Sequence, residues 1–569
     1  QRTLSLVAKR SCISQKRVVE RPLTDVNRII QRQDGIEELT GHTTELSQLE
    51  EMLEHVFDFE RILTRIEANT TSPKDLLALK ASLGMIPEIK KLLSGTVSIV
   101  LRKLSDQMDI HSTVYELLDR SMNENGTGNI RDGKYIKEGY SAELDEVRSL
   151  SENSRKWIAD LEEREKEKTG IKLKIGFNNV FGYYFEITNA NKVPIPEYYM
   201  RKQTLVNAER YITPELKEFE TKALSAKEKT EELELKIYQA VKAAIRPEIA
   251  AMQRTAKALA ALDCLTGLSR AALKDRYVRP QITNSREGRI SIHDGRHPMV
   301  EHALKREMFV PNDTELNHTD QEMIIITGPN MAGKSTYMRQ VAVLTIMAQT
   351  GSFIPAKSAS FAPVDRIFTR VGAADDISTG QSTFMVEMKE VSHILCNATK
   401  NSLILLDEIG RGTSTYDGMS IARAVVEYLN SKVHAYTLFA THYHELSDMA
   451  AENEHIKNYT VTVKERGKEI TFLRRIVPGS ADKSYGIHVA RLAGLPESLL
   501  KRADEILEGL EVEGIKEEPA APVIRRKTAL NLFSSPIIDE LADLDVMSKT
   551  PIEAMEILFR LSKEAKEGR

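Results

Sequence analysis

The sequence predicts a multidomain protein: a long α-helical core or lever with a small β-rich insertion, then an α/β domain, then a helical tail. Three observations predict it. The 569 residues exceed one ordinary core, the apolar period changes from helical to two and back, and short apolar strands later alternate with helices. The predicted divisions are 1–170 and 213–283 for the helical region, 171–212 for the insertion, 284–511 for the α/β domain, 512–535 for a linker and 536–569 for terminal helices.

Helical spacing defines the first region and its continuation. Apolar residues recur every three or four positions up to about residue 170, for example Leu144, Val147, Trp157 and Leu161. The Gly/Asn-rich segment 123–133 predicts a loop between two of these long helices. Helical spacing resumes after Thr213-Pro214-Glu215, and Pro247 predicts a break. The expected arrangement is a helix going out, a small sheet at its tip, and a helix returning.

The composition excludes several classes of protein. The 79 basic and 83 acidic side chains give a formal charge of -4, which argues against a globally basic coat protein but allows a local basic face. Cys12, Cys264 and Cys396 lie too far apart for a disulfide framework or a zinc pattern, which favours a reducing cytosol. No apolar run is long enough to span a bilayer, so we expect a cytoplasmic protein without a membrane partner. Because the chain begins with Gln1, we expect a cut portion of a longer protein.

A phosphate-binding loop follows the apolar run 323–327. Its segment Gly328-Pro-Asn-Met-Ala-Gly333-Lys334-Ser335 has phosphate-loop spacing between a buried strand and a helix. Glycines let successive N–H groups face phosphate oxygens, Lys334 reaches the β and γ phosphates, and Ser335 ligates magnesium. A plain glycine turn is the alternative. We predict that a nucleotide, with Mg²⁺ as cofactor, is bound by Gly328, Pro329, Asn330, Met331, Ala332, Gly333, Lys334, Ser335 and Thr336.

Two carboxylates end the next buried run. The apolar run 403–406 predicts a strand that places Asp407 and Glu408 at the carboxyl edge of a parallel sheet. There Asp407 can hold Mg²⁺ and Glu408 can polarise an attacking water. Alone, the motif also fits a strand end with a helix cap. The second carboxylate favours hydrolysis, and a kinase remains the alternative.

Two further polar residues are candidates for the same site. His442 follows the apolar strand 437–440 and is placed to sense the γ phosphate, the alternative being a satisfied polar residue. The spacing of His442, His444 and Glu445 does not match a helical zinc motif, so a metal site there is not expected. Ser382 ends a small-residue loop and is predicted to cap an apolar helix.

Four segments, in this order, resemble one family, the MutS DNA mismatch-repair ATPases. They are Thr327-Gly-Pro-Asn-Met-Ala-Gly-Lys-Ser-Thr336, Ser378-Thr-Gly-Gln-Ser-Thr-Phe-Met-Val-Glu-Met388, Asp407-Glu-Ile-Gly-Arg-Gly-Thr-Ser-Thr-Tyr-Asp-Gly418 and Ala440-Thr-His-Tyr-His-Glu-Leu446. The resemblance extends to Gly295-Arg-His-Pro298, Tyr183-Tyr184, 201–211 and Arg21-Pro-Leu-Thr-Asp25, and so covers nearly the whole chain.

The resemblance implies a bacterial-type homodimer with an ABC-type ATPase site at each side of the subunit interface. Its paired lever arms would end in clamps that close around double-stranded DNA. Carried over to this sequence, it implies that Lys334 and Ser335 bind phosphate and Mg²⁺, that Asp407 holds Mg²⁺, and that Glu408 activates water.

The same resemblance implies roles for residues outside the phosphate loop. His442 would be the switch histidine, and Ser382 would approach the γ phosphate of the opposite subunit's nucleotide. Phe309 resembles the aromatic residue that packs against adenine, the alternative being a core phenylalanine. Residues 479–490 resemble the entry to a helix-turn-helix that braces the partner's ATPase domain.

The insertion has a local basic excess. Residues 171–211 contain six basic and three acidic side chains, a net +3, which suits phosphate contacts that position a duplex. A solvated face is the alternative, and the family resemblance favours DNA. The residues expected to contact DNA are Lys172, Lys174, Arg201, Lys202, Asn207 and Arg210.

The sequence departs from the family pattern in two places. Members that recognise mismatches carry, ahead of the lever, a reader domain with a Phe-x-Glu motif and a connector domain; neither is visible here, and we expect that truncation removed them. The segment Ala529-Leu-Asn-Leu-Phe533 resembles a sliding-clamp-binding peptide, but Ala529 stands where the leading Gln is usual. The other expected partner is a MutL-type repair protein, and terminal helices could extend the dimer to a tetramer.

Three functions compete. In the first, the chain is the portion of a nucleoid-associated mismatch-repair ATPase that contains the ATPase motor and the DNA clamp. The second is a MutS relative that naturally lacks the reader and clamps recombination intermediates. The third is a nucleotide-gated scaffold that holds a repair partner and uses hydrolysis only to reset.

Overall fold

The protein is described by a computed structural model that covers residues 20–514, without 127, 179–181, 285–287, 305–307, 330–331, 372–381, 467–468 and 481–485, and also residue 560. The chain divides into two units, residues 1–489 and 490–569. The predicted mixture of helices and several sheets is confirmed. Apart from residues 512–514 and 560, the predicted linker, terminal helices and sliding-clamp segment lie outside the described residues.

The first part of the larger unit is a bundle of six helices. They are α1 (Val26–Gly41), α2 (Thr43–Glu54), α3 (Phe59–Glu67), α4 (Pro73–Leu93), α5 (Ile99–Gln107) and α6 (Ser112–Ser121). The region is helical, as predicted, and the longest of these six helices has 21 residues. Capping residues divide the apolar pattern: the side chains of Asp25, Asp58, Ser72 and Ser98 each accept a hydrogen bond from the first turn of a new helix.

Long helices do occur after residue 141. Helix α7 (Ala142–Thr169) has 28 residues and α8 (Pro214–Ile245) has 32. They run out and back, joined by the stacked rings of Trp157 and Phe219, whose centroids lie 3.8 Å apart. A short 3-10 turn that contains Pro247 separates α8 from α9 (Ile249–Asp275), so the predicted break is confirmed. Helix α9 completes the apolar core of the bundle.

A four-stranded antiparallel sheet lies between α7 and α8, and we call it the distal sheet. Its strands are β1 (Leu173–Asn178), β2 (Gly182–Thr188), β3 (Met200–Thr204) and β4 (Ala208–Ile212), in the order β1-β2-β4-β3. One face of the sheet packs as a small core that includes Leu173, Phe185 and Tyr211, together with Leu161 of α7 and Leu216 of α8. The helices therefore hold the sheet at their ends.

A second four-stranded sheet follows the bundle, and the sequence analysis did not predict it. Its strands are β5 (Gln281–Ile282), β6 (Arg289–Gly295), β7 (Asn312–Asn317) and β9 (Ser358–Phe361), in the order β5-β9-β6-β7. A short helix, α10 (Pro298–Ala303), lies between β6 and β7 in the chain. Ile290, Ile292 and Leu316 join this sheet to the apolar core of the central sheet.

The central sheet has six strands in the order β10-β11-β12-β8-β13-β14. They are β8 (Met323–Thr327), β10 (Ile367–Arg370), β11 (Leu403–Asp407), β12 (Tyr436–Ala440), β13 (Ile456–Arg466) and β14 (Glu469–Pro478). The predicted parallel arrangement is confirmed from β10 to β13, whereas β14 pairs antiparallel with β13. The helices between them are α11 (Lys334–Gln349), α12 (Thr383–Asn397), α13 (Thr415–Tyr428) and α14 (Met449–Glu452).

Helix α13 begins directly after Ser414. It starts at Thr415, because the Ser414 side chain accepts a hydrogen bond from the N–H of Asp417 and caps the helix. The loop between β11 and this helix is therefore short, which restricts the residues that follow Asp407.

Two further helices are α15 (Gly486–Leu492) and α16 (Glu497–Gly514). Within the second unit, Gly494 has a φ of +87° and its N–H donates to the Arg491 carbonyl at 3.0 Å, so the chain turns before α16. Among the described helices, each is too short or too polar to cross a bilayer.

Candidate nucleotide site

The phosphate loop lies between a buried strand and a helix, as the motif requires. Met323 to Thr327 are all buried in β8, which pairs with β12 on one side and β13 on the other. Gly333 caps α11 with a φ of +106°, a conformation that favours glycine. Asn330 and Met331 lie outside the described residues. The remaining loop residues connect the strand end directly to the start of the helix.

Lys334 is buried at the first position of α11, with 3% of its surface exposed. Its ammonium donates to the carbonyl oxygens of Gly328 and Pro329, the latter at 3.2 Å. Burial lowers the pKa of Lys334, and the carboxylates of Glu408 and Asp407 oppose that shift. The lysine therefore lies between the phosphate loop and the two carboxylates predicted for the same site.

Asp407 ends β11 and faces the start of α11. Burial raises the pKa of Asp407, and a hydrogen bond from the Ser335 hydroxyl opposes that shift. The contact brings together the two oxygen groups that were predicted to ligate Mg²⁺. Oxygen ligands are the ones Mg²⁺ prefers, so this pair fits the ion.

Glu408 has an unusual backbone conformation. Its φ is +54°, in the left-handed region that non-glycine residues seldom occupy. Its N–H donates to the Ala440 carbonyl at 2.9 Å, and its carboxylate accepts a hydrogen bond from Arg411 at 2.5 Å. These contacts hold the side chain at the edge of the sheet, where strained residues are often functional.

His442 lies at the end of the neighbouring strand. The Thr441 N–H donates to the Ile326 carbonyl at 3.0 Å, which ties this strand end to the phosphate-loop strand. The His442 side chain is exposed on one side. Partial burial lowers its pKa, the cations of Arg411 and Lys334 lower it further, and Glu408 opposes them. These surroundings favour the neutral form of the imidazole.

The adjacent strands β8, β12 and β11 thus bring five predicted residues to one edge of the central sheet. Carboxyl ends of parallel strands meet at such an edge, and ligands bind there in open α/β sheets. The five residues are Lys334, Ser335, Asp407, Glu408 and His442.

Two predicted residues are not joined to this group by the contacts of the described residues. Ser382 caps α12, as predicted, because its hydroxyl accepts a hydrogen bond from the Met385 N–H at 3.2 Å. Phe309 is half-buried in the loop before β7 and belongs to none of the apolar clusters formed by the described residues. A core role for Phe309 therefore has little support.

Sequence reasoning missed two arginines beside the site. Arg411 follows Glu408 by three residues and could have been suspected from that spacing. Arg474 lies on β14 and has a φ of +56°. It is close to the phosphate loop, because a Cβ atom added to Gly333 would lie 3.9 Å from the Cβ atom of Arg474. The buried Asn312 amide donates to the Arg474 carbonyl at 3.1 Å and accepts from the Ile476 N–H at 2.7 Å. No sequence pattern indicates this strained position.

The spacing of His442, His444 and Glu445 did not predict a metal site, and that expectation stays a prediction. Among the residues that the structure describes, no cluster of three or more His, Cys, Asp or Glu side chains has a geometry that could hold a metal ion. His444 begins a 3-10 turn, His444–Asp448, that follows the strand β12.

The predicted DNA contacts lie on the distal sheet, some 100 or more residues before the phosphate loop. Strand register places Lys174, Glu186, Arg210 and Gln203 in one row across the face opposite the small core. Lys172, Lys174, Lys202 and Asn207 are exposed. Exposed lysines on a sheet held at the end of two long helices are suited to contact an extended polyanion.

The two arginines of this set have partners within the sheet. Arg201 pairs with Glu209 at 2.9 Å, with a side chain that is 60% exposed. Arg210 pairs with Glu186 at 3.1 Å, and its side chain is only 17% exposed. The guanidinium carbon of Arg210 lies over the Tyr184 ring, 4.2 Å from the ring centroid. Arg210 therefore has a structural role in the sheet, and the exposed lysines are the better candidates for phosphate contact.

The strand, glycine loop, buried lysine and paired carboxylates define the P-loop class of nucleotide-binding proteins. Comparisons with known proteins narrow the class. The family model described as MutS domain V matches residues 324–511, and the one described as MutS family domain IV matches residues 139–229. The second match spans the distal sheet and the adjoining parts of α7 and α8.

Curated relatives match almost the whole chain. "DNA mismatch repair protein MutS" of Caldicellulosiruptor bescii is 48% identical over 560 residues, which is 96% of this chain and 65% of the relative. Proteins of the same name from Clostridium kluyveri and Acetivibrio thermocellus are 47% and 46% identical, also over 96% of this chain, and over 65% and 64% of their own lengths. The chain belongs to the MutS family. It spans about 65% of the length of these relatives.

Proposed function

We propose that this chain is a DNA mismatch-repair ATPase of the MutS family, which hydrolyses ATP to ADP and phosphate to control a clamp on duplex DNA. One observation carries the proposal: a buried P-loop lysine, a Ser–Asp oxygen pair, a strained glutamate and a histidine lie at one edge of three adjacent strands. The similarity of this chain to relatives that are named for DNA mismatch repair supports a role in that process.

The residues would divide the chemistry as follows. Mg²⁺ would be held by Ser335 and Asp407 and would neutralise phosphate charge. Lys334 would exchange its carbonyl partners for phosphate oxygens, because an ionised partner makes a stronger hydrogen bond. Glu408 would orient and polarise the attacking water, and His442 would contact the γ phosphate from the adjacent strand end.

The proposal includes a dimer with shared sites. Ser382 begins an exposed helix end, which suits an approach to the opposite subunit's nucleotide. Phe309 would pack against adenine, since it is half-buried and outside the described apolar clusters. Helices α15 and α16 would form the helix-turn-helix contact with the partner's ATPase domain.

The distal sheet would act as the DNA clamp, and α7 with α8 as the lever that carries it. The exposed lysines would contact phosphates, which fix the position of a duplex without reading its sequence. A MutL-type repair protein would be recruited in the ATP state, and the protein would work in the cytoplasm on the nucleoid. The division into six segments, the sliding-clamp contact and tetramer formation stay predictions.

The most direct test of the ATPase is Lys334→Ala. We expect turnover to fall below detection while the fold persists, because the substitution removes the phosphate contact and leaves the strand and helix in place. The measurement is phosphate release together with the circular-dichroism spectrum. Lys357 is an exposed lysine directly before β9, so Lys357→Ala is the matched control and should turn over normally. Normal turnover by Lys334→Ala would refute the assignment.

A further inference from the structure

The turn that follows Glu408 is held from both sides at a single residue, Gly410. Its N–H donates to Oε1 of Glu387 at 2.6 Å, and its carbonyl oxygen accepts a hydrogen bond from the Tyr443 hydroxyl at 3.2 Å. Glu387 comes from α12, whereas Tyr443 follows β12 beside His442. Both backbone groups of one residue are thus fixed by side chains from two other elements.

These two contacts with Gly410 are buried, so water cannot replace either partner. Glu387 and Tyr443 are each 5% exposed, and the second oxygen of Glu387 accepts from Arg370 at 3.3 Å. A carboxylate in such surroundings holds its partners more strongly than it would in water. Burial also raises the pKa of Tyr443, so its hydroxyl remains protonated and available as a donor.

The turn cannot move aside to relieve a lost contact. Gly410 has a φ of +88°, and a Cβ atom there would lie 2.4 Å from the Gly418 carbonyl oxygen. A Cβ atom on Gly418 would in turn lie 2.2 Å from the Gly410 carbonyl oxygen and 2.5 Å from the Tyr443 hydroxyl. Backbone, helix start and tyrosine therefore meet in a space that only glycines fit.

The position of Gly410 determines where Glu408 points. Only Ile409 separates the two residues, and Ile409 is locked in the apolar core. Glu408 occupies a left-handed conformation that its surroundings must maintain. Misplacing a catalytic group by about 1 Å can cost on the order of a hundredfold in rate.

We propose that Glu387 and Tyr443 are positioning residues that fix Gly410, and through it Glu408, so that helix α12 sets the geometry of the hydrolytic site on its own subunit. The inference rests on the proposed ATPase function. Helix α12 begins at its cap Ser382, and Glu387 follows about 7.5 Å further along the helix axis. Because a helix of this length is rigid, a displacement of Ser382 also displaces Glu387. The Glu387 carboxylate then transmits that displacement to Gly410.

The cleanest variant is Tyr443→Phe, which removes a hydroxyl and keeps the buried ring. We expect kcat to fall roughly three- to tenfold, the range for one lost hydrogen bond, with nucleotide affinity within about twofold of the wild type. Glu387→Gln should lower kcat further, since it also removes the charge that faces Arg370. Should Glu387→Gln fail to fold, Tyr443→Phe still decides the matter.

Glu390→Gln is the matched control. Glu390 lies one helical turn after Glu387, is 51% exposed, and pairs with the same Arg370 at 3.0 Å, but it does not contact Gly410 among the described residues. Its kcat should match the wild type. A kcat for Tyr443→Phe equal to that of the control would overturn the inference, and so would an equal loss of nucleotide affinity, which would indicate a merely structural role.

A second readout does not depend on turnover. Deuterium uptake by a peptide that spans residues 407–413 should increase in Tyr443→Phe and Glu387→Gln but not in Glu390→Gln, because the turn loses a restraint. Unchanged uptake in both test variants would overturn the inference. An inactive wild type with the expected uptake pattern would instead sink the proposed ATPase function and leave the positioning contacts supported.

The link to Ser382 is tested by a double-mutant cycle. If α12 transmits the position of its cap, Ser382→Ala and Tyr443→Phe should act on kcat through one element, so the double variant should lose less than the product of the two single losses. Ser382→Ala combined with Glu390→Gln should be multiplicative. Multiplicative losses in both pairs would show that α12 does not set the site.

Discussion

At the scale of single residues, the site depends on a few side chains in costly environments. Lys334 is buried, and Glu408 holds a left-handed backbone that costs about 1–3 kcal/mol. The sequence predicted that Asp407 and Glu408 end a strand, because a run of apolar residues precedes them. It could not predict the strain at Glu408 or Arg474, since backbone dihedral angles follow from the hydrogen bonds of distant segments.

His442 offers a prediction about protonation. Because partial burial, Arg411 and Lys334 lower its pKa, we expect the imidazole to titrate below the usual histidine range of about 6.5. Removing the repulsion of one cation should raise the pKa, so the titration midpoint in Arg411→Ala should move towards higher pH. The measurement is an NMR titration of histidine side chains, with His442→Gln used to assign the resonance.

The control for this titration is Arg423→Ala. Arg423 lies on α13 and pairs with Glu427 and Glu452, so its removal should leave the His442 midpoint unchanged. A midpoint that moves to lower pH in Arg411→Ala would contradict the electrostatic account, because Arg411 would then have favoured the charged imidazole.

At the scale of elements, local patterns predicted strands better than helix lengths. Apolar runs such as 323–327 and 403–406 identify buried parallel strands with little ambiguity, because no other short element is apolar on both faces. The bundle was predicted as long helices because apolar spacing continues through α1 to α6. Short capping residues such as Asp25, Asp58 and Ser72 end that continuity, and each is also common in loops.

The pair of long helices offers a prediction that uses the single tryptophan. Trp157 of α7 stacks on Phe219 of α8 with an interplanar angle of 11°. Phe219→Leu should remove about 0.5–1.5 kcal/mol of unfolding free energy beyond the loss of buried area. Because Trp157 is the only tryptophan, its emission should shift to longer wavelength as water reaches the ring, and this shift is the measurement.

The matched control for the helix pair is Phe57→Leu. Phe57 lies in the bundle, is 52% exposed, and does not contact Trp157 among the described residues. The Trp157 emission should be unchanged in that variant. If Phe219→Leu left both the emission and the stability unchanged, the stacked rings would not join the two helices in solution.

At the scale of the whole molecule, the proposal separates a DNA-gripping sheet from a nucleotide site far along the chain. The sequence predicted both locations, since each has a local pattern, but it did not predict the second sheet, whose strands are short and come from separated segments. The sequence also did not predict the ion pair of Arg210 with Glu186, because that pair depends on the register of two strands.

The distal sheet should bind duplex DNA through its exposed lysines. We expect affinity to fall linearly with the logarithm of salt concentration, and Lys174→Ala to reduce that slope by about one. Fluorescence anisotropy with a G·T-mismatched duplex and its matched counterpart, with and without ATP, is the measurement. Because phosphate contacts carry no sequence information, the two duplexes should bind equally.

Lys357→Ala is the control for the DNA measurement, because Lys357 is an exposed lysine directly before β9 and outside the distal sheet. Its salt slope should equal that of the wild type. A clear preference for the mismatched duplex would contradict the proposal that the distal sheet contacts phosphates without reading the sequence.

The measurement that tests the central claim most directly is ATP turnover in mixed dimers of Lys334→Ala and Ser382→Ala subunits. In a symmetric dimer with shared sites, each heterodimer retains one site with both residues intact. After full subunit exchange at equal amounts, turnover should therefore recover to about a quarter of the wild-type rate. No recovery in dimers shown to have exchanged subunits would contradict the claim that Ser382 completes the opposite subunit's site.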